Sequence, residues 1–257
     1  MDLELTGTRA LVTGGSAGIG LATAELLARE GARVAIVSRR PEEAAAEAGV
    51  AAIAADLATA GGPAQAVETA VYELGGLDLL VNNAGTAHIA TFEELTDDDW
   101  DGAWSLNVMS YVRCIRAALP SLRESDRAAV VNVASTSGKR PSTGMPHYSV
   151  TKSAVLSLSR LVADVYAGQG IRCNAVCPGP VRTPAWLAAG GLADQTAERS
   201  GHAREAVLES VGAGRPLGRM AEPEEIAAVV AFLCSPRSSY VTGAAWSADG
   251  GTVPIII

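Results

Sequence analysis

Residues 13–20 read TGGSAGIG and decide the fold, because this turn joins an apolar run to a helical pattern. The run before it, RALVT at 9–13, has the composition of a buried strand. The segment after it, IGLATAELLAR at 19–29, spaces its apolar residues as a helix does and is followed by Gly31. A glycine-rich turn between a strand and a helix lets the backbone approach a phosphate and points free helix N–H groups at it. The sequence therefore predicts a dinucleotide-binding unit here, with a purely structural turn as the alternative.

The same alternation of short apolar runs and longer helical patterns continues along the chain, without an internal repeat or a linker. The further predicted strands cover residues 33–38, 50–55, 77–81, 129–133, 172–177 and 245–248. The further predicted helices cover residues 42–48, 63–74, 97–119, 147–166 and 223–233. Pro120 is expected to end the long helix before it, because proline lacks the N–H donor that a helix interior needs. Repeated βα units form a parallel sheet with helices on both faces. We therefore predict a three-layer, doubly wound α/β fold of the Rossmann type, built as a single domain over residues 1–257.

Residues 184–215 interrupt this alternation. They are rich in Gly and Ala, contain scattered apolar side chains such as Trp186, and fit no strand. Connections of this length in compact domains are usually functional or form structure of their own. Two hypotheses follow for this segment: a mobile lid over a ligand site, and a packed helical excursion.

The composition excludes several classes of protein. With 48% hydrophobic and 19% charged residues, the chain is typical of globular proteins and not of disordered ones. Its net charge of −8, with no cluster of basic residues, argues against nucleic acid as a partner. No apolar stretch approaches the roughly 20 residues that cross a bilayer, and acids stand where a secretory signal would be basic. We therefore expect a cytoplasmic protein with no membrane partner.

The cysteines and histidines predict neither a disulfide framework nor a metal site. The four cysteines have no CxxC pair and no nearby histidine, so we expect reduced packing residues. His88 and His202 lack metal-ligand companions at a useful spacing. His147 precedes Tyr148, but neighbouring helix residues point about 100° apart. We therefore expect no catalytic role for His147.

The end of the second predicted strand bears on the choice of dinucleotide. A carboxylate there binds the ribose of NAD, whereas an arginine accommodates the phosphate of NADP. This chain has Ser38, Arg39 and Arg40, and its next acid is Glu42. The pattern favours NADP, although Ala17 in the glycine-rich turn offers no second basic residue. Solvated arginines at a strand end are the alternative interpretation.

Tyr148 and Lys152 are candidates for chemistry, because residues four apart lie one above the other on a helix face. An ammonium nearby could lower the phenol pKa, which is about 10 in a free tyrosine. An exposed pair on a helix would also explain this spacing. Ser135, at the end of a predicted strand, could hydrogen-bond a substrate oxygen beside the phenol, and Ser137 competes for that role. Asn107 is a poor residue for a helix interior without a polar partner, so it could hold a backbone group or a water molecule near the site.

Together these motifs closely resemble those of the short-chain dehydrogenase/reductase family, over essentially the whole chain. The matching motifs are TGGSAGIG at 13–20, NNAG at 82–85, Asn107, Ser135, YSVTK at 148–152, PGPVRT at 178–183 and DGG at 249–251. The resemblance implies a catalytic tetrad of Asn107, Ser135, Tyr148 and Lys152, because the family's Ser-to-Tyr spacing selects Ser135. It further implies that Tyr148 exchanges a proton with the substrate oxygen while the cofactor exchanges a hydride.

The resemblance also assigns residues to cofactor binding. It implies that the glycine-rich turn contacts the pyrophosphate, that the third and fourth strand ends contact the adenosine half, and that the sixth strand end flanks the nicotinamide. The residues so assigned are Gly14, Ser16, Gly18, Ile19, Gly20, Ser38, Arg39, Asp56, Leu57, Asn83, Ala84, Gly85, Tyr148, Lys152, Pro178, Val181 and Thr183. Family members that prefer NAD carry Asp at the position of Ser38, so this departure favours NADP without excluding NAD.

The expected function is that of an NADP-preferring oxidoreductase acting on a small carbonyl or alcohol substrate. The stretch GRM…PEEI at 218–226 is similar to that of 3-oxoacyl-carrier-protein reductases, so a 3-oxoacyl thioester is one candidate substrate. The alternative from another class is a non-catalytic NADP-binding sensor or scaffold. The resemblance further implies a homotetramer in which the helices at 97–119 and 147–166 pair between subunits.

Overall fold

The sheet formed by the described residues is parallel throughout and has seven strands. A computed structural model describes residues 2–254. The strands are β1 Arg9–Thr13, β2 Arg33–Ser38, β3 Ala51–Ala54, β4 Leu79–Asn82, β5 Ala129–Val133, β6 Arg172–Pro178 and β7 Ala245–Ala248. Their order is β3-β2-β1-β4-β5-β6-β7, and each neighbouring pair is parallel. The order reverses between β1 and β4, which opens a crevice at the carboxyl ends of these two strands.

Helices follow nearly every strand. They are α1 Gly18–Arg29, α2 Glu42–Ala48, α3 Gly62–Leu74, α4 Asp97–Trp104, α5 Ser110–Arg123, α6 Thr136–Lys139, α7 Pro146–Tyr166, α8 Pro184–Leu187, α9 Leu192–Ser200, α10 Arg204–Ala213 and α11 Pro223–Cys234. A π-helical segment, Ser105–Met109, joins α4 to α5. Within residues 2–254, no helix is both long and apolar enough to cross a membrane.

Two apolar clusters, one on each face of the sheet, hold the three layers together. On one face, Leu27 of α1 and Ile226 of α11 are buried against the strands. On the other face, Val67 of α3, Ile115 of α5 and Val162 of α7 are buried. Fully burying such a side chain contributes about 1.5–3 kcal/mol. Strands covered on both faces are apolar at nearly every position, which is why the inner strands were recognisable as short apolar runs. The predicted three-layer, doubly wound Rossmann-type fold is confirmed.

The four cysteines are free, buried thiols: Cys114, Cys173 and Cys234 lie inside these two clusters, and Cys177 lies in a smaller third cluster beside Tyr111. Burial raises the pKa of Cys114, Cys173 and Cys234 to about 12, and that of Cys177 to about 11. A thiol with so high a pKa is protonated at neutral pH and unreactive. The cysteines are therefore the reduced packing residues that the sequence predicts.

At the amino end of the sheet, Asp78 links β1 to the start of β4. Its carboxylate accepts hydrogen bonds from the Arg9 backbone N–H at 2.8 Å, from Arg9 Nε at 2.8 Å and Nη2 at 2.7 Å, and from the Ser125 hydroxyl at 2.6 Å. Burial acts to raise the pKa of Asp78, but these hydrogen bonds outweigh it and lower the pKa to about 2. This network lies at the opposite end of the sheet from the crevice, so it supports the fold and not the site.

The expectation that Pro120 ends its helix is wrong. The helix that starts at Asp97 continues through the π-helical segment and α5 as far as Arg123, with Pro120 inside it. Proline removes the hydrogen bond to the carbonyl of Arg116, four residues earlier. Both Arg116 and Pro120 are exposed, so water can hydrogen-bond to that carbonyl. The buried face of α5 then holds the helix together beyond the proline.

Residues 184–215 contain α8, α9 and α10. Two contacts tie α9 to the segment after β4: Gln195 Oε1 accepts a hydrogen bond from the Ile89 N–H at 2.8 Å, and Arg199 pairs with Glu94 at 2.7 Å. The structure thus has the helical excursion that was one of the two hypotheses. Movement of this segment as a lid stays a prediction.

Candidate active site

A cavity of about 1020 Å³ opens at the carboxyl ends of β1, β4, β5 and β6. One wall comes from the turn after β1 and the loops after β4 and β5, and the opposite wall from α8, α9 and the residues between them. Ligands of open α/β sheets bind outside the carboxyl ends of the strands, at the point where the strand order reverses. The cavity occupies that place and is the candidate active site.

The turn after β1 presents backbone to the cavity because glycines allow close approach. Gly14 has a φ of +62°, and an added Cβ would lie 2.9 Å from the Ala84 Cα. A Cβ on Gly20 would overlap the carbonyl oxygen of Gly14. The N-cap of α1 is Ala17, whose methyl group cannot cap the first helix N–H groups. These free N–H groups fit the pyrophosphate of a dinucleotide.

Thr13 and Asn83 fasten this turn to the loop after β4. The Thr13 hydroxyl oxygen accepts hydrogen bonds from the N–H groups of Asn83 at 2.9 Å and Ala84 at 3.1 Å. The Asn83 side-chain amide donates to the carbonyls of Thr13 and Gly14, both at 3.1 Å. Asn83 therefore shapes the cleft, a role that the sequence analysis did not foresee for it.

Tyr148 and Ser135 meet on the cavity wall. Tyr148 lies in the first turn of α7, and Ser135 is the N-cap of α6, where its Oγ accepts a hydrogen bond from the Ser137 N–H at 3.0 Å. Both side chains line the cavity, and Ser135 acts on the pKa of Tyr148 by favouring its phenolate. Ser137 also lines the cavity, but Ser135 is the serine that acts on the pKa of Tyr148, which favours Ser135 as its partner.

The pKa of Tyr148 is raised, whereas the sequence analysis expected Lys152 to lower it. Burial disfavours the phenolate more strongly than Ser135 favours it. Lys152 Nζ lies 5.7 Å from the centroid of the Tyr148 ring, and burial lowers the pKa of Lys152 itself to about 7. Tyr148 is therefore protonated at neutral pH, which suits a group that donates a proton to a carbonyl oxygen.

Lys152 rests on a residue that the sequence analysis missed, Tyr111 of α5. Lys152 Nζ donates a hydrogen bond to the Val133 carbonyl at 2.7 Å and one to Tyr111 Oη at 3.4 Å. Tyr111 is fully buried and donates its own hydroxyl to the same Val133 carbonyl at 3.1 Å. Its ring centroid lies 5.4 Å from Lys152 Nζ. The only sequence signal for Tyr111 is its position four residues after Asn107.

Asn107 sits in the π-helical segment and is fully buried. Its Oδ1 accepts a hydrogen bond from the Thr86 N–H at 2.8 Å, and its Nδ2 donates to the Thr86 carbonyl at 2.9 Å and to Thr151 Oγ1 at 3.1 Å. Single turns of π-helix frequently occur at functional sites. Asn107 thus joins the loop after β4 to α7, next to Lys152, and has the polar partners that its helix position requires.

The structure divides the residues assigned to the cofactor into two groups. Those on the cavity wall are Gly14, Gly18, Ile19, Asn83, Ala84, Gly85, Tyr148, Lys152, Pro178, Val181 and Thr183. Those outside the wall are Ser16, Gly20, Ser38, Arg39, Asp56 and Leu57. Arg39 directly follows β2, the strand beside β1, and its side chain is exposed. It forms no ion pair among residues 2–254. Asp56 and Leu57 follow β3, so they and Arg39 lie further along the same edge of the sheet.

His147 does not line the cavity. It is fully buried. Its ring centroid lies 4.2 Å from that of His88 and 6.3 Å from that of Trp100. Neither ring nitrogen has a hydrogen-bond partner in the described part of the chain. Burial lowers the pKa of His147, with His88 adding to the effect. This is the environment of a neutral packing residue. Among residues 2–254, no three potential metal-binding side chains converge.

Comparison with known proteins agrees with this geometry. The profile of a family described as enoyl-(acyl carrier protein) reductase matches residues 14–253. The short-chain reductase protein NovJ of Streptomyces niveus is 36% identical over 94% of this chain and 92% of its own length. The chain belongs to the short-chain dehydrogenase/reductase family.

Two further members of the short-chain dehydrogenase/reductase family are similar along their whole length. The D-β-hydroxybutyrate dehydrogenase of Cupriavidus necator is 34% identical over 97% of this chain and 99% of its own. The crystal structure of L-sorbose reductase from Gluconobacter frateurii, complexed with NADPH and L-sorbose, superposes with a TM-score of 0.92 at 37% identity, covering all of both chains. Membership accounts for the sheet order and for the motifs around the cavity.

Proposed function

We propose that this protein is an NADP-dependent oxidoreductase that interconverts a ketone and a secondary alcohol, with Tyr148 as the general acid and base. The observation that carries the proposal is that Tyr148, Ser135 and Lys152 line one cavity together with the glycine-rich turn. A proton donor beside a dinucleotide turn is the arrangement that carbonyl reduction needs.

NADPH, when bound, supplies the hydride that adds to the carbonyl carbon. As the carbon–oxygen double bond becomes a single bond, the Tyr148 hydroxyl donates its proton to the oxygen, which completes the alcohol. The Ser135 hydroxyl donates a hydrogen bond to the same oxygen and orients it. In the oxidation direction the Tyr148 oxygen accepts the proton of the alcohol. The raised pKa of Tyr148 favours the acid role at neutral pH.

The other two tetrad residues support this chemistry. Lys152 would hold the ribose next to the nicotinamide, and its positive charge favours the phenolate that forms when Tyr148 has lost its proton. Asn107 acts through Thr86 and Thr151, which fixes the loop after β4 against α7. The turn residues Gly14 and Ile19 would hold the pyrophosphate.

The preference for NADP over NAD depends on Arg39. Its exposed guanidinium, at the end of the strand beside the glycine-rich turn, has no acidic partner among the described residues and suits a ribose phosphate. The NADPH bound by the L-sorbose reductase supports the same choice. A higher kcat/KM with NADPH than with NADH is expected, and Arg39→Asp should reverse the order.

The substrate class is a ketone or secondary alcohol. Similar proteins act, by their names, on a hydroxy acid and on a ketose sugar, and both substrates carry such a group. A 3-oxoacyl thioester stays a candidate because of the stretch at 218–226. The matching family is described as enoyl-(acyl carrier protein) reductase, whose substrate is also an acyl thioester but is reduced at a carbon–carbon double bond.

A reductase assay with Tyr148→Phe tests the function. The purified protein is assayed with NADPH over a panel of ketones, sugars and a 3-oxoacyl thioester, and with NADP⁺ over the matching alcohols. We expect turnover by the wild type and a loss of 10²-fold or more in Tyr148→Phe, since general acid catalysis contributes about that much. Tyr72→Phe is the control, because Tyr72 is 88% exposed. Binding of NADPH without turnover of any compound would instead favour the non-catalytic sensor.

A homotetramer and a cytoplasmic location remain predictions. The helices expected to pair between subunits carry exposed apolar side chains, namely Trp104 at 42%, Val150 at 48% and Leu161 at 59% exposure. Light scattering coupled to size exclusion should give four times the mass of 26.2 kDa, and Leu161→Glu should lower it.

A further inference from the structure

We propose that the substrate carries an oxyanion, a carboxylate or a phosphate, and that Arg215 together with Arg140 binds it. This inference rests on the proposed function, because it names the substrate class of the same site. It assigns a specificity role to two residues that the reaction steps do not use.

All charged side chains on the described cavity wall are positive. They are Arg140, Lys152 and Arg215, and no Asp or Glu is among the wall residues. This contrasts with the chain as a whole, which has a net charge of −8. Lys152 already contacts the Val133 carbonyl and Tyr111. The two arginines therefore give the cavity a positive potential that attracts an anionic substrate.

Arg215 is placed to bind an oxyanion directly. It is partly buried, just after α10, and its Nε donates a hydrogen bond to the Val211 carbonyl at 3.1 Å. Its two terminal nitrogens make no hydrogen bond or ion pair with residues 2–254, whereas Arg204 of the same helical excursion pairs with Asp194 at 2.6 Å. A guanidinium with both terminal nitrogens free matches a carboxylate or phosphate in a bidentate manner.

Arg140 adds a second positive charge at the cavity. It follows α6, the short helix that Ser135 caps, and its backbone N–H donates to the Thr136 carbonyl at 2.9 Å. Its exposed side chain forms no ion pair or hydrogen bond within the described chain. The wall facing it from α8 and α9 contributes apolar side chains, including Trp186 and Leu192. The fitting ligand is a carbonyl compound with a short apolar part and an oxyanion.

The test compares matched probes that differ only in charge. The acids are acetoacetate, levulinate and 5-oxohexanoate, each against its methyl ester, so that the distance from ketone to carboxylate varies. Dihydroxyacetone phosphate against dihydroxyacetone distinguishes a phosphate from a carboxylate. We expect at least one anion to exceed its neutral partner tenfold or more in kcat/KM, because hydrogen bonds to charged groups are the stronger ones.

Variants then assign the effect to the arginines. Arg215→Gln should raise KM for the preferred anion about tenfold and leave kcat/KM for the neutral partner unchanged, and Arg215→Lys should restore part of the preference. Arg140→Gln should have a smaller effect of the same kind, because its side chain is exposed. Arg127→Gln is the matched control, because Arg127 is an exposed arginine at the amino end of β5 and pairs with its neighbour Asp126.

A binding measurement separates this inference from the proposed function. The preferred anion should raise the melting temperature of the wild type with NADP⁺ and not that of Arg215→Gln, since a ligand stabilises the state that it binds. Turnover of acids and esters at equal kcat/KM overturns the inference and leaves the proposed function standing. Stabilisation by an anion without turnover of any probe overturns the proposed function alone. A weaker affinity of Arg215→Gln for NADPH, measured by fluorescence titration, would place Arg215 on the cofactor and overturn the inference.

Discussion

Replacing Asp78 with asparagine is expected to destabilise the protein without disturbing the chemistry of the site. Asp78 accepts three hydrogen bonds from Arg9 and one from Ser125 at the amino end of the sheet. Its side chain is only 7% exposed, so water screens the pair with Arg9 weakly. An asparagine keeps the shape but loses the charge, and its amide group must face the guanidinium donors.

The size of the effect follows from the pKa of Asp78. The pKa falls from an ordinary 3.8 to about 2, and this shift corresponds to about 2 kcal/mol of folding free energy at neutral pH. Because the folded-state pKa is the lower one, the stabilisation is complete above about pH 4 and is lost as the pH falls towards 2. Near pH 3 about 1 kcal/mol should remain. For a chain of this length, the loss at pH 7 lowers the melting temperature by roughly 4–8 °C.

Urea unfolding of the wild type and Asp78→Asn at one protein concentration measures this contribution at pH 7 and near pH 3. Asp126→Asn is the control, because Asp126 is 86% exposed and its pair with Arg127 should contribute less than about 1 kcal/mol. Under the saturating substrate conditions of the reductase assay, kcat of Asp78→Asn should match the wild type. A loss below about 0.5 kcal/mol at pH 7, or a loss equal at both pH values, would refute the reasoning.

Three further predictions concern the site itself. Gly20→Ala should abolish NADPH binding in a fluorescence titration, because its Cβ would overlap the Gly14 carbonyl. Tyr111→Phe removes a hydrogen-bond acceptor from Lys152, so the pKa of Lys152 should fall by roughly 0.5. The limb of the kcat–pH profile that Lys152 controls should then shift to lower pH. An unchanged profile contradicts a positioning role for Tyr111. Gln195→Ala breaks the bond to the Ile89 N–H, so hydrogen exchange at that amide should accelerate while amides of β5 stay protected.

Local sequence patterns were enough to predict the fold and the main candidates of the site. The inner strands, such as β1 and β5, are buried on both faces, so their apolar runs were visible in the sequence. The glycines of the turn at 13–20 can be read directly from the sequence. Tyr148 and Lys152 lie four residues apart on α7, so helix geometry alone places them on one face. The continuation of the helix beyond Pro120 was not predicted, because exposure of the Arg116 carbonyl to water depends on which face of α5 is buried.

Contacts between residues distant in the sequence were decided only by the tertiary structure. Asn107 hydrogen-bonds to Thr86 and Thr151, which are 21 and 44 residues away in the sequence. Lys152 hydrogen-bonds to Tyr111, 41 residues away.

The pKa of Tyr148 is a property of the packed site for the same reason. The spacing of Tyr148 and Lys152 suggested a lowered phenol pKa, but burial of both side chains reversed that expectation. The sign of charge in the cavity likewise emerges only once the fold brings Arg140 and Arg215 to the same cavity, in a chain that is acidic overall. Periodicity along the chain determines which elements form and which residues share a face, because it acts over a few residues. Desolvation and long-range contacts depend on how the elements pack, and these set the chemistry of the site.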